Sequence, residues 1–191
     1  MMIQWGKIAM TEAKQTVRIG GASGFWGDAA QATPQLLADQ SLDFIVYDYL
    51  AEITMAILAR VHARDASLGY ATDFVTAAMA PNLAEIARQG VRVISNAGGI
   101  NPEGCATALR AEISKQGLAL KVAVVTGDDL LDQKGAIANA TPTDMFSGAE
   151  FPDPDKIGSI NAYLGAFPIA AALDGGADIV ITGRCVDSAV T

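Results

Sequence analysis

Only two cysteines, Cys105 and Cys185, and a single histidine, His62, occur among the 191 residues. Two thiols so far apart build no disulfide framework and lack the paired spacing of a zinc site. The expected setting is therefore reducing and cytoplasmic. His62 stands between Arg60 and Arg64 on an expected helix, so no Ser–His or Cys–His machinery is foreseen. Basic residues are also scarce, with 13 Lys and Arg against 21 Asp and Glu and a net charge of −8. A polyanion would be repelled overall, and nucleic acid is not an expected partner. Long apolar runs are missing as well. The most apolar stretch, 162–173, is too short to span a bilayer and is interrupted by Gly165 and Pro168. The opening MMIQWGKIAM carries Lys7 inside its only apolar stretch, which excludes a secretory h-region. Residues 1–16 are read as a flexible leader.

The nucleotide fingerprints are absent too. In GGASGFWGD, Ala22 and Ser23 stand where a dinucleotide-binding turn needs glycine, the phosphate-loop lysine is missing, and a hydrolase elbow fails at Phe25. NAD and ATP are not indicated.

What is present is a globular composition, 51% hydrophobic and 18% charged. Five short runs rich in Val or Ile, at 17–20, 43–47, 91–95, 121–126 and 178–182, are apolar nearly throughout. Such runs suit strands covered on both faces, as in a parallel sheet. Helical patterns lie between them at 29–38, 53–63, 83–89, 102–116 and 161–173. Asp28 and Asn101 stand as N-caps, Pro102 opens its helix, and Gly90 and Gly117 stop theirs. The expected fold is α/β: a mostly parallel sheet flanked by helices, Rossmann-like and doubly wound. Residues 127–159 break the rhythm and are read as a functional lid or a disordered link. An apparent new helix begins at Val186 and Thr191 is the last residue, so 17–191 reads as one truncated α/β domain. Its uncovered apolar surface would favour association of copies.

In such sheets ligands gather beyond the carboxyl ends of the strands. Here those ends hold Gly21, Ser23 and Gly24, then Asp48, then Asn96, Gly98 and Gly99, then Asp128 and Asp129, and finally Arg184. Glycines before the helix capped by Asn101 suit an anion at a helix N-terminus, and equally an ordinary cap. Asp48 and Asp128 are the candidate acid–base pair. With Asp129 they would also suit Mg²⁺ through oxygen ligands, or serve only as solvated caps. Arg184 is a natural clamp for a carboxylate or phosphate, or a turn residue paired with Asp187. Cys185 is read as an inert thiol.

Taken together, VRIGGASGFWGD, DFIVYDYLAEITMAILAR, GYATDFV, VISNAGGINP, NAYLGAFPIAAAL and ADIVITGRCVDSA resemble the acyclic terpene utilisation family from about Val17 to Thr191. The resemblance implies catabolism of citronellol- and geraniol-type compounds, with branched acyl-CoA thioesters as intermediates. It implies a longer α/β domain and a C-terminal ferredoxin-like domain beyond this chain. The expected function is acid–base chemistry of a lyase, hydratase or hydrolase kind on a branched acyl-CoA or related carboxylate. Asp48 or Asp128 would move protons, Gly98, Gly99, Asn96 and Arg184 would hold the anionic group, and Gly21, Ser23 and Gly24 would shape the pocket. The alternative is a non-catalytic acyl-CoA-binding or assembly subunit.

Overall fold

The computed structural model describes residues 16–191, so the expected leader lies outside the described residues except for Thr16. Five strands form one sheet: β1 (Ile19–Ser23), β2 (Phe44–Tyr47), β3 (Arg92–Ser95), β4 (Val122–Val125) and β5 (Ile179–Thr182). Their order is β1-β2-β3-β5-β4, and every pairing is parallel. The expected α/β architecture is the one observed. Side chains alternate across the pleat. Ile45, Tyr47, Val93, Ile179 and Ile181 enter one core, while Val46, Ile94 and Val180 enter a second core on the opposite face.

The connections explain the two layers. From β1 to β4 the chain advances in one direction across the sheet, and right-handed crossovers then keep the helices on one face. Those helices are α1 (Ala29–Leu37), α2 (Glu52–Arg64), α3 (Leu83–Gln89) and α4 (Pro102–Lys115). They bury Leu37, Leu58, Ile86 and Leu109 in the first core. The step from β4 back to β5 reverses direction. It passes α5 (Lys134–Asn139) and sends α6 (Phe167–Asp174), with Ile169 buried, to the other face.

Local signals act as expected at several ends. Asn101 accepts from the Gly104 amide at 2.9 Å, Pro102 occupies the first turn, and Gly90 adopts φ +67° after α3. Four differences have physical causes. β1 runs to Ser23 rather than stopping at Gly20, because pairing with Phe44–Tyr47 recruits small residues of low strand preference. Asp28 stands at the N-cap of α1, but its carboxylate accepts from the Gly24 amide at 3.0 Å instead of capping the helix. A π-helical turn, Phe74–Met79, buries Phe74, Val75, Ala78 and Met79 and left no periodic signature. Finally, α6 starts at Phe167 rather than at residue 161.

The residues before α6 are held extended instead. The Ala162 amide donates to Asp128 O at 2.7 Å, and the Leu130 amide to Ile160 O at 2.8 Å. On the other side the Val186 amide donates to Leu164 O at 2.9 Å. Residues 160–164 thus form a strap stitched to the ends of both β4 and β5. The longer connection holds α5, short 3₁₀ turns and a small antiparallel bridge between Thr143 and Glu150. Residues 187–190 form a single 3₁₀ turn whose Ala189 and Val190 complete the second core.

Candidate functional site

The site lies at the carboxyl end of the sheet. The chain leaves β3 toward α4 on the first face, whereas after β5 it packs Ala189 and Val190 into the second core. Diverging exits of neighbouring strands are where ligands gather in such sheets, but β3 and β5 pack closely there and the cavity lies beyond the end of β5, between the start of α2 and residues 159–163. Asn96 follows β3 and Arg184 follows β5.

Arg184 is 3% exposed and lines a cavity of about 180 Å³ with Glu52, Met55, Ser159, Asn161 and Tyr163. Its guanidinium lies over the Tyr163 ring, 4.0 Å from the centroid, a cation–π contact. Nη1 donates to Asp187 Oδ1 at 2.7 Å and to Cys185 O at 2.9 Å. Nη2 reaches Glu52 Oε1 only at 3.4 Å, and that Glu52 carboxylate is 79% exposed. Arg184 Nε is buried and has no acceptor among the described residues. Burial opposes the guanidinium charge, but the Asp187 carboxylate and the neighbouring Tyr163 outweigh it and hold Arg184 above its usual range. The Tyr163 hydroxyl donates to Glu52 Oε1. That bond holds the Glu52 carboxyl below its usual range and raises the Tyr163 phenol.

The other candidates form two pairs along the rim. Asp48 and Asn96 are one: Asn96 Nδ2 donates to Asp48 Oδ1 at 2.7 Å, and Asn96 Oδ1 accepts from the Tyr49 amide at 2.7 Å. Asp128 and Arg184 are the other, through the Arg184 amide, which donates to Asp128 Oδ2 at 2.7 Å. Asn161 Nδ2 donates to the same oxygen at 3.0 Å. Burial raises the Asp128 carboxyl above its ordinary value, against these donors. Neither Asp48, Asn96 nor Asp128 lines the cavity; Asp128 lies one hydrogen bond behind it, through Asn161.

The glycine positions are packed or paired. Gly98 and Gly99 are buried, and a Cβ on Gly98 would stand 2.5 Å from Thr182 O, so β3 and β5 close on each other only because Gly98 has no side chain. The Gly99 amide donates to Asn96 O at 3.2 Å. Gly21 lies in the edge strand β1, and Gly24 donates to Asp28. Ser23 Oγ donates to Asp48 O at 3.1 Å and so ties the β1 loop to the rim. Asp129 is exposed and accepts from the Leu131 amide at 2.9 Å. Among the described residues no three His, Cys, Asp or Glu side chains gather as a metal site.

Burial raises the Cys185 thiol and pushes Cys105 up to about 12, so neither is a thiolate near neutral pH. His62 Nδ1 lies 2.7 Å from Leu68 O and pins the turn after α2. Met55, Ser159, Asn161 and Tyr163 escaped the sequence reading. Asn161 and Tyr163 fall inside a run that looks helical, and their only signal was polarity within an apolar stretch.

Among the described residues no helix is long and apolar enough to cross a membrane. No curated protein and no solved structure matches the chain. A family model, that of the acyclic terpene utilisation family protein AtuA, matches residues 17–191. With most of the sequence inside that match, the chain belongs to the acyclic terpene utilisation family.

Proposed function

We propose that this chain binds the carboxylate or acyl head of a branched acyclic terpenoid, of the citronellyl or geranyl kind, at the cavity beside Arg184. The observation that carries the reading is the buried Arg184 guanidinium, which lines the cavity and keeps one N–H without an acceptor. A carboxylate or thioester carbonyl oxygen is the partner that such a fork recognises. Glu52, exposed and distant, is the partner most readily displaced. Glu52 and Tyr163 face the cavity as a hydrogen-bonded acid–base pair, able to move a proton on a substrate held by Arg184. Asp128 keeps Asn161 in place, and Asp48 does the same for Asn96. The reaction class is lyase, hydratase or hydrolase, with an acyl-CoA as the activated form of the acid.

A second reading, binding without turnover, draws on one observation: neither Asp48 nor Asp128 lines the cavity. The test begins with calorimetry of the purified protein and citronellate. One molar equivalent is expected to bind, and Arg184→Met is expected to lose binding at least tenfold while keeping the wild-type circular dichroism. Unchanged affinity in Arg184→Met overturns the head-group assignment. Incubation with geranyl-CoA then separates the readings, since product supports the enzyme and stoichiometric binding without product supports the module.

A further inference from the structure

We infer that the groove between α2 and residues 151–160 is the binding site for the apolar chain of the ligand, and that two alanines of α2, Ala56 and Ala59, set the chain length it accepts. This rests on the head-group reading above. The groove has a volume of about 580 Å³, within the ~300–1,000 Å³ typical of small-molecule sites. One wall is Ala56, Ala59 and Ala63, and the other includes Phe151, Ile157 and Ile160. Ser159 lines both this groove and the Arg184 cavity, so the two adjoin. Glu52, which reaches Arg184, begins the same helix that supplies the alanines.

The alanine spacing is what makes the wall. Residues at 52, 56, 59 and 63 recur by four, three and four and so share one helix face. The buried residues of α2 are Thr54, Met55 and Leu58, so the alanines are not the side chains that α2 packs into the core. At 1.5 Å per residue the wall from Glu52 to Ala63 runs about 16 Å. Only two charged residues, Arg60 and Lys156, line the groove, and both are exposed. An occupant with an anionic head and a branched hydrocarbon tail matches this order: cation at one end, apolar walls beyond. Family membership in acyclic terpene utilisation supplies such chains.

The experiment measures binding of butanoate, hexanoate and octanoate to the wild type and to Ala56→Leu, Ala59→Trp and Ala63→Leu. Each added methylene is expected to tighten wild-type binding about twofold to fourfold. Ala56→Leu, nearest Arg184, should flatten the series from hexanoate onward. Ala59→Trp should flatten it at octanoate, and Ala63→Leu should leave all three acids unchanged. Butanoate affinity in every variant reports an intact head site and an intact fold. Binding that does not grow with chain length, yet still needs Arg184, overturns the groove and leaves the head-group reading standing. Ala59→Trp lowering butanoate and octanoate equally also overturns it. Failure of the wild type to bind any of the three overturns both.

Discussion

Asp128 shows how one buried carboxylate can shape a rim without lining the cavity beside it. It is 3% exposed, and a Cβ on Gly183 would stand 2.5 Å from either of its oxygens. Its two donors, the Arg184 amide and Asn161 Nδ2, favour the charged form, but desolvation favours the neutral form more. The folded carboxyl therefore holds its proton at pH values where the unfolded one, near its ordinary 3.8, has lost it. Its contribution to stability is fully present below that ordinary value and is lost as pH rises through the raised value. Asp128→Asn keeps an oxygen for both donors and carries no charge. Urea denaturation of the two proteins from pH 3 to pH 7 is expected to show the variant gaining on the wild type as pH rises through that window. A stability difference that is constant across the range would mean that Asp128 is not shifted upward.

The turn between β3 and α4 is where element and site meet. Its sequence, with glycines followed by Asn101 and Pro102, was legible as a helix start, and the structure has that cap. The sequence left those glycines open as an anion cradle or as part of an ordinary cap, and the structure has them packed against Thr182, Pro102 and Leu58. Contact with a neighbouring strand leaves no trace in a local pattern, which is why the two uses could not be separated. The same limit hid Tyr163: an apolar run from 162 looks helical until the segments that follow β4 and β5 capture residues 160–164 by hydrogen bonds. The strands themselves were readable because burial on both faces demands unbroken Val and Ile. Gly98→Ala tests the packing account. The added methyl meets the Thr182 carbonyl, part of the β5 backbone, which cannot yield without shearing β3 from β5. Destabilisation of about 1–3 kcal/mol is expected from such overpacking, read as a lower urea midpoint. Carboxylate binding should weaken with it, because Arg184 follows the β5 end that is displaced. A stable variant with wild-type affinity would show that the close approach is not required.

At the scale of the molecule, the strand order ties the last part of the chain into the first. β5 lies between β3 and β4 and pairs with both, although the connection from β4 runs through more than 50 residues of turns, strap and helix. The most exposed part of that connection is residues 141–150, where every residue is exposed and Met145 and Phe146 stand 84% and 89% open to solvent. Exposed tips of this kind are cut first by proteases. The hydrogen bonds there are local to the loop: Asp144 Oδ1 accepts from the Phe146 and Ser147 amides, Asp144 O accepts from the Gly148 amide, the Asp144 amide donates to Ala149 O, and the Thr143–Glu150 bridge closes the turn. Chymotrypsin at low concentration is therefore expected to cut at Phe146 before any site in the sheet. The two pieces should nevertheless co-elute on gel filtration. The smaller one carries β5, whose Ile179, Val180 and Ile181 are fully buried between β3 and β4. Burying three such side chains contributes roughly 5–9 kcal/mol of apolar transfer energy before ordering costs, and the backbone pairings on both edges add to it. Separation of the pieces under native conditions would contradict the insertion of β5, and with it the placement of Arg184 on which the proposed site depends.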